Sequence, residues 1–84
     1  MEPKNQAAEI LRDLAELERE EGNDTAAKCF AHVSFLLLSP TKPSTRTEKL
    51  SAAISTHAVI ERLEWCGFDD AIIQVVRTFA KENQ

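Results

Sequence analysis

Only two glycines punctuate this chain, and each stands where a helical pattern stops and then resumes. Apolar residues at helical spacing lead into "EGNDTAA", and a second such run leads into "CGFDDAI". Glycine closes a helix end by taking a left-handed backbone conformation that a Cβ would oppose. Asn23 or Asp24 follows Gly22, and Asp69 follows Gly67, each able to accept a free N–H of the next helix. A flexible linker would be longer, with less apolar flanks. Stop, cap and immediate resumption predict two tight reversals, each joining a pair of helices. Reuse of ordinary cap chemistry accounts for the likeness of the two stretches better than a tandem repeat does.

Periodicity fills in the helices. Ala7, Ile10, Leu11, Leu14 and Leu17 form one stripe over residues 4–21. Residues 24–38 end in "FLLL", apolar nearly all round, which predicts burial on several sides as a central helix or an oligomer seam. Small Ala27, Ala31 and Ser34 on the same segment allow a neighbouring helix to approach closely. Pro40 and Pro43 in "SPTKPS" end it.

Thr45 and Glu48 have capping-box spacing and open a third helix over 45–66. Leu50, Ala53, Ile54, His57, Ile60 and Leu63 are its expected inner face, with Val59 and Cys66 flanking. In residues 70–82, Ile72, Ile73, Val75 and Val76 favour a strand by propensity. Yet Ile72, Val76, Phe79 and Ala80 share a helical face, and a lone strand would leave its backbone groups unpaired. A helix is expected. The fold reading is one all-α domain over 1–84, a four-helix bundle of two helical hairpins with a Pro/Ser/Thr loop at 39–44.

Composition bears mainly on function. Eighty-four residues with 43% hydrophobic and 29% charged side chains suit one small domain with a thin core. The net charge is −4, and residues 1–24 carry eight acids against Lys4, Arg12 and Arg19. An acidic first helix repels nucleic acid and anionic membrane surfaces, though a solvated acidic face is the plainer reading. No apolar run approaches ~18 residues, so no membrane span is expected. With no export-like start, Cys29 and Cys66 read as free thiols in a reducing setting, intracellular and cytoplasmic.

Catalytic and metal chemistry find little support. Cys29 and His32 lie one helical turn apart, but His57 and Cys66 would sit ~13 Å apart along a continuous helix, too far to complete one zinc site. His32 lies near Cys29 and Ser34 without an oxyanion loop or an orienting acid. No enzyme activity, metal or cofactor is expected. A helix-turn-helix DNA-binding regulator is the alternative from another class, with Gln74, Arg77 and Lys81 as its reading face. Two cations on an acidic chain make a weak footprint for it.

Binding remains. Trp65 and Phe68 flank Gly67 as interface anchors or as plugs at the end of the bundle. Phe35 and Leu37 belong to the "FLLL" turn, and Lys42 and Arg46, with Lys49, form a basic spot suited to a partner's acids. These residues predict a non-catalytic protein–protein interaction module. It would bind a peptide or helix, or pair with itself as a homodimer, through an apolar groove between the hairpins.

Two local resemblances point the same way. Leu11, Leu14, Ala15, Gly22-Asn23, Ala27, Phe30, Ser34 and Pro40 resemble a tetratricopeptide-type or microtubule-interacting-and-transport-type hairpin over residues 9–40. That likeness implies a platform for peptides or helices, although Asp24 stands where such hairpins usually place an aromatic residue. Residues 57–76, "HAVIERLEWCGFDDAIIQVV", look like the close of a PUB domain. This second likeness implies an adaptor for the tail of an AAA ATPase.

Overall fold

The structure, a computed structural model, describes residues 2–83. Four helices follow one another: α1 (Pro3–Glu20), α2 (Asp24–Leu38), α3 (Arg46–Cys66) and α4 (Asp70–Glu82). Among the described residues there is no strand, and the segment expected to choose between strand and helix is helical. The chain is an all-α four-helix bundle.

Both glycines reverse the chain as their surroundings require, with φ of 85° at Gly22 and 69° at Gly67. After α3, the Phe68 N–H donates to the Leu63 carbonyl at 3.0 Å and the Gly67 N–H to the Glu64 carbonyl at 3.1 Å. This pairing satisfies carbonyls that a helix end otherwise leaves open. The Asn23 N–H does the same for the Glu18 carbonyl, at 2.8 Å. At the start of α3, Thr45 Oγ1 accepts the Glu48 N–H at 3.1 Å while its hydroxyl donates to Glu48 Oε1 at 3.0 Å. Asp69 accepts the Ala71 N–H at 3.0 Å. The start of α2 departs from expectation. Asn23 stands at the cap but makes no capping bond, because its side-chain amide donates to Glu18 Oε2 at 3.0 Å.

Helix α2 packs between α1 and α3, and α4 closes the bundle against α3 and α1. The seam of α1 on α2 is narrow because α1 offers Ala7, Ala8 and Ala15 around the fully buried Leu11. Phe30, Val33 and Leu37 of α2 fill the space opposite, and the Ser34 hydroxyl donates to the Ala8 carbonyl at 2.7 Å. From the other side come Val59 and Leu63 of α3 and Ile72, Ile73, Val76 and Phe79 of α4. Each fully buried aliphatic side chain contributes about 1.5–3 kcal/mol.

Three faces differ from the sequence reading. On α1 the buried stripe passes through Glu18 rather than Leu17, which is exposed, while Ile10 and Leu14 are half-buried. On α2, Phe35 and Leu38 are exposed, and so is Ala31 of the small-residue ridge. With only α1 and α3 beside it, α2 cannot cover "FLLL" on every side. The largest difference is α3. Leu50, Ala53, Ile54 and His57, expected inside, face solvent, and Ala52, Ser55 and Thr56 are buried instead. The helix is unbroken, so its rotation is set once. Val59 and Leu63 set it, and the first half must follow.

Nothing lies within 4 Å of the position a Cβ would take at Gly67, so only its backbone conformation resists substitution. Gly67→Ala is expected to lower stability by about 1–2 kcal/mol, the cost of a left-handed alanine. Gly67→Asn should cost less. Urea denaturation of the two variants checks both.

Candidate functional site

The surface formed by α2 and α3 holds most of the residues that chemistry singles out. Two open grooves lie along it. One, of about 920 Å³, runs beside the Gly22 reversal, between Asp24, Thr25 and Ala26 on one side and Ala58, Glu61 and Trp65 on the other. The second, of about 330 Å³, lies at the opposite ends of the same helices, where Phe35 and Lys42 face Thr47, Glu48 and Ser51. Between them, His32 Nδ1 and Ser55 Oγ meet at 2.7 Å and tie α2 to α3.

The floor of the first groove is an ion pair rather than an apolar strip. Arg62 Nε and Nη2 donate to Glu18 Oε1 at 3.1 and 3.0 Å, and Nη2 reaches Oε2 at 3.3 Å. Asn23 completes the carboxylate, so both oxygens are satisfied although Glu18 is buried. The Arg62 guanidinium also stands 4.9 Å from the centroid of the Trp65 ring. A cation at that distance is attracted to the negative face of the indole. Trp65 is therefore oriented from one side by Arg62, while it remains 77% exposed.

The structure separates the six residues singled out by sequence. Trp65 and Phe35 are exposed on the α2–α3 surface, and Lys42 and Arg46 are exposed at its loop end. Leu37 is buried among the residues that join α2 to α1, so it cannot meet a partner without unfolding. Phe68 is half-buried and packs against the core below Gly67, which gives it the plugging role. Other residues belong to this surface although the sequence reading passed them over. Glu18 keeps phase with Leu11 and Ala15, and an acid on an apolar stripe is a legible sign of a buried partner. Nothing in the sequence names Arg62 as that partner, 44 positions away.

Other candidates are already engaged. His57 pairs with Glu61 at 2.9 Å, and Arg77 of the alternative DNA-reading face is bound to Glu64. Cys29 is half-buried and Cys66 exposed, both free thiols. Among the described residues no three His, Cys, Asp or Glu side chains converge as a metal site, and no helix is long and apolar enough to cross a membrane.

Removing one partner of a buried pair leaves the other charge without compensation. The Glu18 side chain is 11% exposed and that of Arg62 31%, so water softens the loss. Glu18→Ala is expected to lower stability by about 2 kcal/mol, below the range for fully buried pairs. The double variant with Arg62→Met should recover part of it, with a coupling of about 1–2 kcal/mol by urea denaturation.

No protein-family model, curated protein or solved structure matches the chain.

Proposed function

We propose that this chain is a non-catalytic interaction module that docks an apolar helix face or peptide on the surface of α3 and the adjoining grooves. One observation carries the reading. Leu50, Ile54 and Trp65 are 61%, 60% and 77% exposed, yet they share one face of α3 at helical spacing. Isolated exposed leucines are ordinary on any protein surface, but a row along one helix is not a scatter. Thr47, Ala58 and Glu61 continue the row, so the face is amphipathic rather than uniformly greasy. The groove between the hairpins likewise combines an indole with an ion-paired floor. A partner would bring aliphatic or aromatic side chains for the row and polar groups for its rim.

The proposal predicts that Leu50→Glu with Ile54→Glu leaves the far-UV circular dichroism unchanged, since both side chains already face water. Binding should fall by at least about a hundredfold, because two buried aliphatic anchors are worth about 1.5–3 kcal/mol each. Affinity capture with wild type and variant in parallel, beside a concentration series in light scattering, reads this. Equal recovery by both proteins, together with unchanged self-association, would remove the proposal.

A further inference from the structure

We infer that the occupant of this surface is a second copy of the chain, laid antiparallel across α2 and α3 about a two-fold axis. The inference rests on the docking surface proposed above and adds the identity of what covers it. Charge is the first reason. At the loop end Lys42 and Arg46 stand exposed, with Glu48 as the acid beside them. At the other end the groove beside Trp65 presents Asp24 and Glu61 against Lys28, one turn along α2 from Asp24, and His57, which meets Glu61 at 2.9 Å; Glu18 is already neutralised by Arg62. One face thus carries a basic end and an acidic end. A parallel copy would set like charges together, whereas an antiparallel copy sets each basic end against an acidic one, twice over.

Shape gives the second reason. Phe35 stands 68% exposed at the basic end, and the groove of about 920 Å³ lies at the acidic end beside Trp65. Turning a second copy about the two-fold brings the Phe35 of each molecule to the Trp65 groove of the other. Ile54 then lies near the centre in both copies, and Leu50 lies beside Phe35 toward the basic end. A two-fold interface has this self-complementary form, a projecting side chain at one end and a recess at the other.

Area is the third reason. Helix α3 has 21 residues. Its length of about 31 Å and width of about 10 Å offer roughly 300 Å², well short of the ~800 Å² per partner of a stable interface. Adding the 15 residues of α2, about 22 Å long at an interaxial distance of about 9 Å, brings the face to roughly 500 Å² before the relief of the grooves is counted. The pair of helices offers the area of a small, concentration-dependent interface, below ~600 Å² per partner. The single helix does not.

The test is a charge reversal with rescue, followed by light scattering and by the emission of Trp65, the one tryptophan in a chain without tyrosine. Wild type should move from the 9.4 kDa monomer to twice that mass as concentration rises, with Trp65 emission shifting to the blue. Lys42→Glu with Arg46→Glu, and separately Asp24→Lys with Glu61→Lys, should each weaken pairing by at least about tenfold while circular dichroism shows the fold intact. Mixing the two variants should restore a dimer, since each mixed contact joins opposite charges again. A wild-type protein monomeric at every concentration overturns the inference. So does a dimer that both reversals leave unchanged, because its seam would lie elsewhere. If wild type stays monomeric while capture remains sensitive to Leu50→Glu and Ile54→Glu, self-pairing falls and the docking surface stands. If that sensitivity is absent too, both fall.

Discussion

Helix α3 carries two apolar stripes that are out of phase, and a straight helix can bury only one of them. Ala52, Val59 and Leu63 form the first, Leu50, Ile54 and Trp65 the second. At 3.6 residues per turn the two lie on nearly opposite sides. Choosing the first places Val59 and Leu63 between α2 and α4 and completes a core that this short chain can scarcely afford to lose. It also buries Ser55 and Thr56, whose hydroxyls find partners in His32 and in the Ala52 carbonyl. The second stripe is left in water. Everything proposed about binding follows from that choice.

The ion pair of Glu18 with Arg62 holds the same rotation from the side. Buried pairs of this kind contribute little net stability, because desolvating two charges offsets most of their attraction. Their effect is directional. A guanidinium presents its donors in a fixed fork, so Arg62 meets the Glu18 carboxylate only when α3 is turned with Val59 and Leu63 inward. Asn23 spends its amide on the same carboxylate and forgoes the cap of α2. The Gly22 reversal, α1 and α3 are thereby joined at one point, directly beneath Trp65.

Surface and core are also linked through α2. Its inner residues Phe30, Val33 and Leu37 serve the core, while Phe35 and Leu38 on the outer side have no helix to cover them. A bundle of four short helices gives each member two neighbours, which leaves an outer face on every one. On α4 that face is polar, with Gln74, Arg77 and Lys81, and needs no cover. On α2 and α3 it retains aromatic and aliphatic side chains, and the two faces adjoin across the His32–Ser55 contact.

Local chemistry made the helices legible. Gly22, Gly67, Thr45 and Asp69 act within a few residues of themselves, so their stop and cap signals placed the helix ends beside them within about one position. The amphipathic stripe of α4 was legible for the same reason, since its apolar residues keep a single phase. Three things were not. The sequence of α3 supports two faces equally, and only the competition among α1, α2 and α4 for the interior decides which is buried. Glu18 shows as an acid out of place, but its partner lies on a helix that only the folded chain brings near. Leu37 and Phe35 read alike as neighbours in "FLLL", yet one is core and the other surface, because the direction from which α1 approaches separates them. Sequence determined where the rods begin and end, since those signals act over a turn of helix. The tertiary structure determined which way each rod is turned, since that depends on residues tens of positions apart meeting in one interior.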